Sequence, residues 1–425
     1  MDGIPEKEMR ARYRPRVIDS RISHLLRVFG GVQITGCKWC GKSWTGLYHS
    51  KSSVFIGTDT GRKVAEMDPQ LVLGGEEPRL IDEWQDAPNL WDVARMNIDF
   101  SARKGMYIFT GSSTPPAESV SHTGVGRFAT VEMRPMSLFE SGDSRGSVSL
   151  SAMFDGAAEV SSWSDMDYMG AIRLICRGGW PGGLGASMED ALLIPRVYSE
   201  TLARMDLSRV DGVKRDPGVM RALLKSLARN NATAAKAPAL AADMAGGGDP
   251  VSEQTVRSYM GALKSVFAIG EQPAWVPSLR SRKRLRTSPK RHFADPSLAA
   301  ALMEAGPEEI ARDPNAAGFL FESMCYRDLS AYSSAFGGRV GHYLDDSGLE
   351  VDSIVERGDG RWGAVEVKMG HRDADKAAAS LLRLKEKLAG EAAEPSFLMV
   401  LCATGGAAYM RGDGVAVVPL DCLGP

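Results

Sequence analysis

Short apolar runs, each ending in small or polar residues, recur through the first third of the chain. They fall at Gly31–Thr35, Ser53–Ile56, Arg79–Ile81, Met106–Phe109 and Phe128–Met133. Continuous apolar runs of this length are typical of strands that are buried on both faces, as in a parallel sheet covered by helices. The pattern therefore predicts an α/β domain with a parallel sheet, which we place at residues 1–160.

The middle of the chain changes to helical spacing. Residues 165–207 predict helices interrupted by the Gly- and Pro-rich segment 176–183, and we interpret residues 161–214 as a helical lid. A predicted helix at 217–230, a second helix capped by Ser252 and an apolar hairpin at 265–269 follow. This order is typical of winged-helix domains, so residues 215–292 predict a winged-helix-like module and basic linker that bind DNA or pack against protein.

The last third returns to an α/β pattern, which we assign to residues 293–425. Residues 349–355 alternate as a strand, and a Gly/Asp turn leads to a second strand at 362–368. A long helix at 374–390 and strands at 397–401 and 415–418 complete the predicted domain.

Residues 36–43 read Gly-Cys-Lys-Trp-Cys-Gly-Lys-Ser, a complete G-x-x-x-x-G-K-[ST] phosphate-binding loop between a predicted strand and helix. Glycines let the backbone wrap a polyphosphate, so that successive N–H groups point at its oxygens. The expected cofactor is ATP with Mg²⁺. The candidate cofactor-binding residues are Gly36, Cys37, Lys38, Trp39, Cys40, Gly41, Lys42, Ser43 and Trp44. Lys42 is expected at the β- and γ-phosphates, and Ser43 on the metal.

Two carboxylates end the next candidate strand. In ATPases of this type the residue at Asp82 holds Mg²⁺ through water, and that at Glu83 polarises the attacking water. A hydroxyl within 110–113 is placed to sense the γ-phosphate. Arg127, in a small-residue loop, is the candidate finger that reaches a neighbour's phosphate, with Arg134 as the competing candidate. This role requires a homo-oligomer, for which a ring is one arrangement.

A second chemical pattern lies in the C-terminal hairpin. Glu366 and Lys368 share one face of their strand, and the hairpin brings Asp352 close to Glu366. This D-(x)n-E-x-K arrangement predicts a PD-(D/E)xK nuclease-like domain, in which Asp352 and Glu366 hold Mg²⁺ and Lys368 positions water. Glu322 or Glu350 is expected to assist. The alternative is an ordinary set of charged residues on an exposed hairpin.

Net charge, hydropathy and cysteine content restrict the expected partners and the expected location of the protein in the cell. A net charge of −2 indicates no global affinity for nucleic acid, so a DNA site must be local. Seven basic residues within 280–291 form the candidate phosphate-backbone contact: Arg280, Arg282, Lys283, Arg284, Arg286, Lys290 and Arg291. No run of 18 apolar residues exists, so we expect a cytoplasmic protein without membrane association. The six spread cysteines are expected to be reduced thiols.

The chain resembles the bacterial and archaeal AAA-type ATPases that carry a C-terminal domain of unknown function (number 4143). The motifs that carry the resemblance are Gly36–Ser43, Leu80–Gln85, Phe109–Ser112, His122–Arg127, Met133–Met136, Gly178–Pro181 and Glu350–Lys368. The resemblance implies a P-loop ATPase domain, a winged-helix-like linker and a PD-(D/E)xK-like end. It also implies that Arg127 is the better finger candidate.

These observations favour an ATP-hydrolysing enzyme that acts on DNA and carries a nuclease-like domain. The alternative is a nucleotide-dependent regulatory switch that binds DNA or protein without cleaving it. A chaperone-like remodeller is a third class, for which no substrate-binding loop is identifiable in the sequence.

Charge reversal at Arg282, Lys283 and Arg284 is expected to weaken DNA binding about equally across sequences, because phosphate contacts carry no sequence information. The slope of log affinity against log salt should become shallower by up to about 3, at roughly 0.9 per lost contact. Fluorescence anisotropy across a salt series measures this slope. Charge reversal at Lys376, Lys385 and Lys387 changes the net charge equally and is the control. An unchanged slope would assign the basic run to ordinary solvated surface.

Overall fold

The computed structural model describes residues 6–114, 123–204, 208, 212–245, 251–277 and 287–425. We number its helices in chain order: α1 (Glu6–Ala11), α2 (Asp19–Val28), α3 (Lys42–His49), α4 (Asp59–Met67), α5 (Pro69–Leu73), α6 (Asn89–Ser101), α7 (Leu138–Ser141), α8 (Leu150–Phe154), α9 (Tyr168–Arg177), α10 (Met188–Arg204), α11 (Pro217–Arg229), α12 (Ala237–Ala245), α13 (Glu253–Ser265), α14 (Pro296–Leu302), α15 (Pro307–Arg312), α16 (Pro314–Ser334) and α17 (Ala374–Lys387).

The strands are numbered in the same way: β1 (Gly31–Thr35), β2 (Ser52–Phe55), β3 (Arg79–Asp82), β4 (Tyr107–Gly111), β5 (Phe128–Glu132), β6 (Val148–Ser149), β7 (Ser161–Trp163), β8 (Ile269–Gln272), β9 (Lys290–Phe293), β10 (Arg339–Leu344), β11 (Glu350–Glu356), β12 (Trp362–Gly370), β13 (Phe397–Thr404), β14 (Ala407–Met410), β15 (Val415–Pro419) and β16 (Leu423–Gly424). Two compact units result. The first comprises 1–134, 206–214 and 262–268, and the second 135–205, 215–261 and 269–425.

The first unit is built on a parallel sheet, as the apolar runs predict. Within the described residues its strand order is β2-β3-β4-β1-β5, and each neighbouring pair is parallel. The candidate phosphate loop follows β1, and Asp82 is the last residue of β3. The buried strand β4 lies between these two strands, so they are not adjacent in the sheet. Aromatic rings pack in the core of this unit: Trp84 stacks on Trp91, and Phe109 meets Trp91 edge to face.

The second unit contains a mixed sheet of order β10-β11-β12-β13-β15-β14-β7. Its centre, β12-β13-β15, is parallel, and antiparallel strands lie at both ends. The predicted hairpin forms between β11 and β12, with Ser353 opposite Val365 and Glu356 opposite Trp362. The predicted long helix is α17, whose residues Ala377, Leu381 and Leu384 are fully buried against the sheet.

The two compact units differ from the predicted domain bounds between residues 135 and 163. Strand β6, predicted within the ATPase core, pairs with β16 at the C-terminal end. Strand β7, predicted at the start of the lid, extends the seven-stranded sheet by pairing with β14. Strands of two or three residues carry too little periodicity to be recognised, and their partners lie more than 240 residues away in sequence. The remaining predicted bounds stay predictions.

The described residues of the predicted winged-helix region, 215–245, 251–277 and 287–292, contain three helices and the strands of a hairpin. Helices α11, α12 and α13 precede β8, which pairs antiparallel with β9. Val256, Tyr259, Met260 and Leu263 are buried, as their helical spacing predicts. The hairpin begins at Ile269, four residues later than predicted. The element order agrees with a winged helix, and the assignment itself stays a prediction.

A buried ionic network organises the glycine-rich segment of the second unit. The Arg327 guanidinium lies 2.8 Å from Asp295 and donates to Asp328 at 2.8 Å. Asp295 also accepts from the Gly179 N–H at 3.0 Å, and Asp328 accepts from the Leu138 N–H at 2.9 Å. Buried charges are tolerated when they are paired and hydrogen-bonded in this way. The network therefore connects α7, the 178–181 segment, α14 and α16.

None of the described helices has the length and apolar character that a membrane span requires.

Replacing Arg327 with leucine is expected to destabilise the protein by about 3–5 kcal/mol, because two buried carboxylates lose their cation. The midpoint of urea unfolding, followed by far-UV circular dichroism, measures the effect. The control is Lys225→Ala, which removes the solvent-exposed pair with Glu304 and should cost less than about 1 kcal/mol. Equal midpoints for the two variants would contradict the organising role of the network.

Candidate nucleotide-binding site and carboxylate cluster

The phosphate loop has the backbone that its glycines predict. It begins directly after β1 and ends where α3 begins at Lys42. Gly36, Trp39 and Gly41 have φ values of 148°, 64° and 104°. A side chain at Gly36 would bring its Cβ within 2.1 Å of the Met133 carbonyl oxygen, so only glycine fits against β5. The loop forms a cradle of N–H groups at a helix N-terminus, which suits an anion.

Basic side chains lie inside and behind this cradle. The buried Lys42 ammonium donates to the Cys37 carbonyl oxygen at 2.8 Å, inside the loop. The buried Arg16 guanidinium donates to the carbonyl oxygens of Cys40 and Arg134, both at 2.8 Å. Arg16 thus connects the loop to the end of β5. In the sequence, Arg16 is only one of four arginines within residues 10–16, and nothing there indicates its contact with the loop.

The other predicted loop residues divide by exposure. Lys38, Trp39 and Trp44 are exposed, whereas Cys37 and Cys40 are buried. Both thiols are free, as expected. A hydrogen bond from Cys37 lowers the pKa of the Cys40 thiol to about 6, although burial opposes the shift.

The predicted carboxylates lie at the carboxyl edge of the same sheet. Asp82 is buried, which raises its pKa, and it accepts hydrogen bonds from Thr110 at 2.5 Å and from the Ser43 hydroxyl. Glu83 has a φ of 55°, an uncommon value for a non-glycine residue, and accepts from Ser112 at 3.0 Å. The parallel register thus brings three strand ends and the loop together, as predicted.

The residues at this edge suit Mg²⁺ bound with ATP. Mg²⁺ prefers hard oxygen ligands and is typically held by one or two protein oxygens plus substrate phosphates. The Ser43 hydroxyl and the Asp82 carboxylate already lie in hydrogen-bond contact with each other beside the phosphate cradle. Their oxygens therefore fit the predicted metal role.

The two candidate arginine fingers lie at opposite edges of the sheet. Arg127 directly precedes β5, whose first residue pairs with the first residue of β1, so it lies at the edge away from its own phosphate loop. It is half-exposed and pairs with Asp99 at 2.6 Å, which lowers the pKa of that carboxyl group. Arg134 follows β5 at the phosphate-loop edge and lies 3.3 Å from Glu132. The neighbouring residues 121–122 of the motif lie outside the described residues.

The second unit brings the predicted nuclease-like residues together. The Lys368 ammonium lies 2.8 Å from Glu366 Oε2 and 3.5 Å from Asp352 Oδ2. Asp352 Oδ2 also accepts from the Val367 N–H at 2.8 Å. Burial, and then the charge of Asp352, raises the pKa of Glu366 to about 8.

A second lysine, which sequence reasoning assigned to the basic run, lies in the same cluster. The Lys290 ammonium is 2.7 Å from Glu322 Oε1, 2.7 Å from Glu350 Oε1 and 3.7 Å from Asp352 Oδ1. Burial, and then the charge of Asp352, raises the pKa of Glu322 to about 7. Burial disfavours the ammonium of Lys290, but the three carboxylates outweigh this effect and raise its pKa.

This finding corrects the interpretation of Lys290 and Arg291 as contacts to a phosphate backbone. Lys290 is enclosed by carboxylates, and Arg291 donates to the Ala235 carbonyl and lies 3.7 Å from Glu271. Both charges therefore pair with carboxylates of the second unit, and they do not contact a phosphate backbone. Arg280, Arg282, Lys283, Arg284 and Arg286 lie outside the described residues.

The metal role predicted for Asp352 and Glu366 does not fit this arrangement. Within the described ranges, no group of three or more His, Cys, Asp or Glu side chains is arranged to hold a metal ion. The oxygens that would ligate Mg²⁺ instead face two ammonium groups and a backbone N–H. We therefore derive no metal-dependent step at this cluster.

Family models match three successive parts of the chain. Residues 30–141 match an AAA domain, residues 170–309 match a domain of unknown function (DUF8612), and residues 317–423 match a domain of unknown function (DUF4143). The first match confirms the predicted P-loop ATPase domain, and the third confirms the predicted C-terminal domain of unknown function (number 4143). The PD-(D/E)xK-like character of the C-terminal domain stays a prediction. The second match covers most of the predicted lid and winged-helix region.

Curated relatives match part of this chain. Uncharacterized proteins of Mycobacterium tuberculosis and Mycobacterium bovis are each 26% identical over 278 residues, which cover 64% of this chain and 56% of theirs. The chain thus spans little more than half the length of these curated relatives.

Solved structures with partial similarity include the Walker-type ATPase PABY2304 of Pyrococcus abyssi, at 14% identity over 69% of this chain and 97% of that one, with a TM-score of 0.42. The RuvB Holliday junction branch migration motor of Thermotoga maritima is 16% identical over 61% and 93%, with a TM-score of 0.28. AMPPCP-bound DnaA of Aquifex aeolicus is 14% identical over 58% and 86%, with a TM-score of 0.24. The AAA-domain match and the loop geometry together identify the first unit as a P-loop ATPase domain.

Proposed function

We propose that this protein is an ATP-hydrolysing enzyme that acts on DNA as a homo-oligomer. The observation that carries the ATPase part is the convergence of the phosphate cradle, Lys42, Asp82 and Glu83 at one edge of a parallel sheet. The acidic residues and the hydroxyls there match the parts that phosphoryl transfer to water requires.

Each residue at this edge has a role in the proposed reaction. The N–H groups of the loop hold the phosphate oxygens, and Lys42 leaves the Cys37 carbonyl to reach the β- and γ-phosphates. Bound Mg²⁺ would neutralise developing negative charge on the phosphates. Ser43 and Asp82 supply the oxygens that hold it. Glu83 orients the attacking water. Before the water binds, Ser112 and Gln85 donate hydrogen bonds to the Glu83 carboxylate and hold it in place.

The proposal that DNA is the partner rests on fewer observations than the proposal of ATP hydrolysis. The basic run 280–286 supplies five arginine and lysine side chains in a chain of net charge −2, directly before β9. DNA as a partner is proposed on this charge pattern alone. The regulatory switch remains the alternative, and stimulation of ATP turnover by DNA separates the two.

Lys42→Ala is expected to weaken ATP binding on the order of 100-fold, because the ammonium that meets the β- and γ-phosphates is removed. Glu83→Gln should bind ATP normally but lower the turnover rate about 10²–10⁴-fold, because the water loses its general base. Isothermal titration and phosphate release measure the two quantities.

The control for both is Lys104→Ala, an exposed lysine near the opposite edge of the sheet, which should change neither binding nor turnover. Wild-type turnover by the Glu83 variant would show that another residue polarises the water.

Arg127→Ala is expected to lose hydrolysis and keep ATP affinity, because Arg127 lies too far from its own loop and must act on a neighbouring subunit. Mixing this variant with Asp82→Asn should restore part of the turnover at interfaces where an intact loop meets an intact Arg127. Phosphate release from titrated mixtures measures the restoration.

The control is Arg103→Ala, another exposed arginine of the first unit that pairs with Glu77. Sedimentation of a monomer at every concentration, with and without ATP, would contradict the action of Arg127 between subunits.

A further inference from the structure

Lys290 is held in the carboxylate cluster by its backbone. Its strand β9 pairs with β8, where Lys290 lies opposite Gln272. The fully buried Gln272 amide donates to the carbonyl oxygens of Asp352 and Gly341 at 2.8 and 3.0 Å and to the Ser353 hydroxyl at 3.1 Å. The hairpin is therefore fastened to the strand that carries Asp352. The position of the Lys290 ammonium follows from this attachment.

The Lys290 ammonium faces three carboxylates, from α16 and from two positions of β11. It donates a hydrogen bond to Glu322 at 2.7 Å, lies 2.7 Å from Glu350 and forms a longer ion pair with Asp352 at 3.7 Å. Its side chain is 7% exposed, whereas the Glu350 side chain is 48% exposed. One positive charge that belongs to the chain thus lies among three acidic groups.

This cation competes with a divalent ion for the same oxygens. Mg²⁺ requires oxygens at about 2.0–2.1 Å in octahedral geometry. Glu322 Oε1 already has the Lys290 ammonium at 2.7 Å, and Glu366 Oε2 has the Lys368 ammonium at 2.8 Å. A divalent ion that bound these oxygens would also lie beside two positive charges, whose repulsion offsets part of its attraction to the carboxylates.

We propose that Lys290 is the resident cation of the Glu322–Glu350–Asp352 cluster, so that the C-terminal domain binds no divalent metal there and does not cleave DNA. The inference concerns the nuclease-like fold predicted from the sequence and rests on DNA as the proposed partner. It is independent of ATP hydrolysis, whose residues lie in the first unit.

Titration of the nucleotide-free full chain with Mn²⁺, with free Mn²⁺ measured by electron paramagnetic resonance, tests the proposal. Wild type is expected to bind Mn²⁺ no more tightly than Asp352→Asn. Lys290→Met should gain one Mn²⁺ site, because the carboxylates lose their cation. This site should bind Mn²⁺ at least tenfold more tightly than wild type binds the ion anywhere. The double variant with Asp352→Asn should lose that site. Lys290→Arg retains the charge and should resemble wild type.

Lys225→Met removes an exposed, paired lysine of the same unit and is the matched control for the change of residue type. An Mn²⁺ site in wild type that Asp352→Asn removes would overturn the proposal, and that comparison stands even where Lys290→Met does not fold. A folded Lys290→Met variant without a gained site would also overturn it.

A cleavage assay gives an independent result. Wild type and Asp352→Ala are expected to leave single-stranded and branched DNA intact with Mn²⁺, with and without ATP. Cleavage by wild type alone would overturn the proposal and support metal-dependent catalysis by Asp352, Glu366 and Lys368. ATP turnover, measured on the same samples, separates failure of this inference from failure of the proposed ATPase.

Discussion

The parallel pairing of β1 with β4 on one side and β5 on the other is the constraint on which the nucleotide site depends. Parallel strands bring their carboxyl ends to one edge, and here that edge collects the phosphate loop, Asp82 and the hydroxyl of Thr110. The same register places Arg127 at the amino edge. One pairing pattern therefore separates the residues that serve a subunit's own nucleotide from the residue proposed to serve a neighbour's.

Buried charge is handled in the same way at two places in the second unit. Arg327 is enclosed by Asp295 and Asp328, and Lys290 by Glu322, Glu350 and Asp352. In each place a cation of the chain pairs with carboxylates, most of which are buried and would be destabilised without it. The first network holds a glycine-rich segment, and the second forms where the Gln272 amide fastens the hairpin β8–β9 to β11. A cluster of acids in a nuclease-like position is therefore not sufficient evidence for a metal site.

The sequence predicted well those elements whose signal is local. The strand before the loop, the hairpin at 350–370 and the buried face of α13 all follow from periodicity and turn residues. It did not predict that β6 and β7 would join strands near residue 424 and residue 408. Such pairings depend on which edge is open after the rest of the sheet has formed, and no local pattern reports that.

The sequence by itself determined the phosphate loop, because a cradle of N–H groups needs only glycines and a following helix within eight consecutive residues. It also determined that Asp352, Glu366 and Lys368 would meet, because a hairpin connects them. Only the tertiary structure decided that Arg16 supports the loop and that Lys290 joins the acidic cluster. The physical reason is that a sequence does not show which charged side chains lose their water on folding. Once such a side chain is buried, its partner is the opposite charge that the packing of distant elements brings within reach.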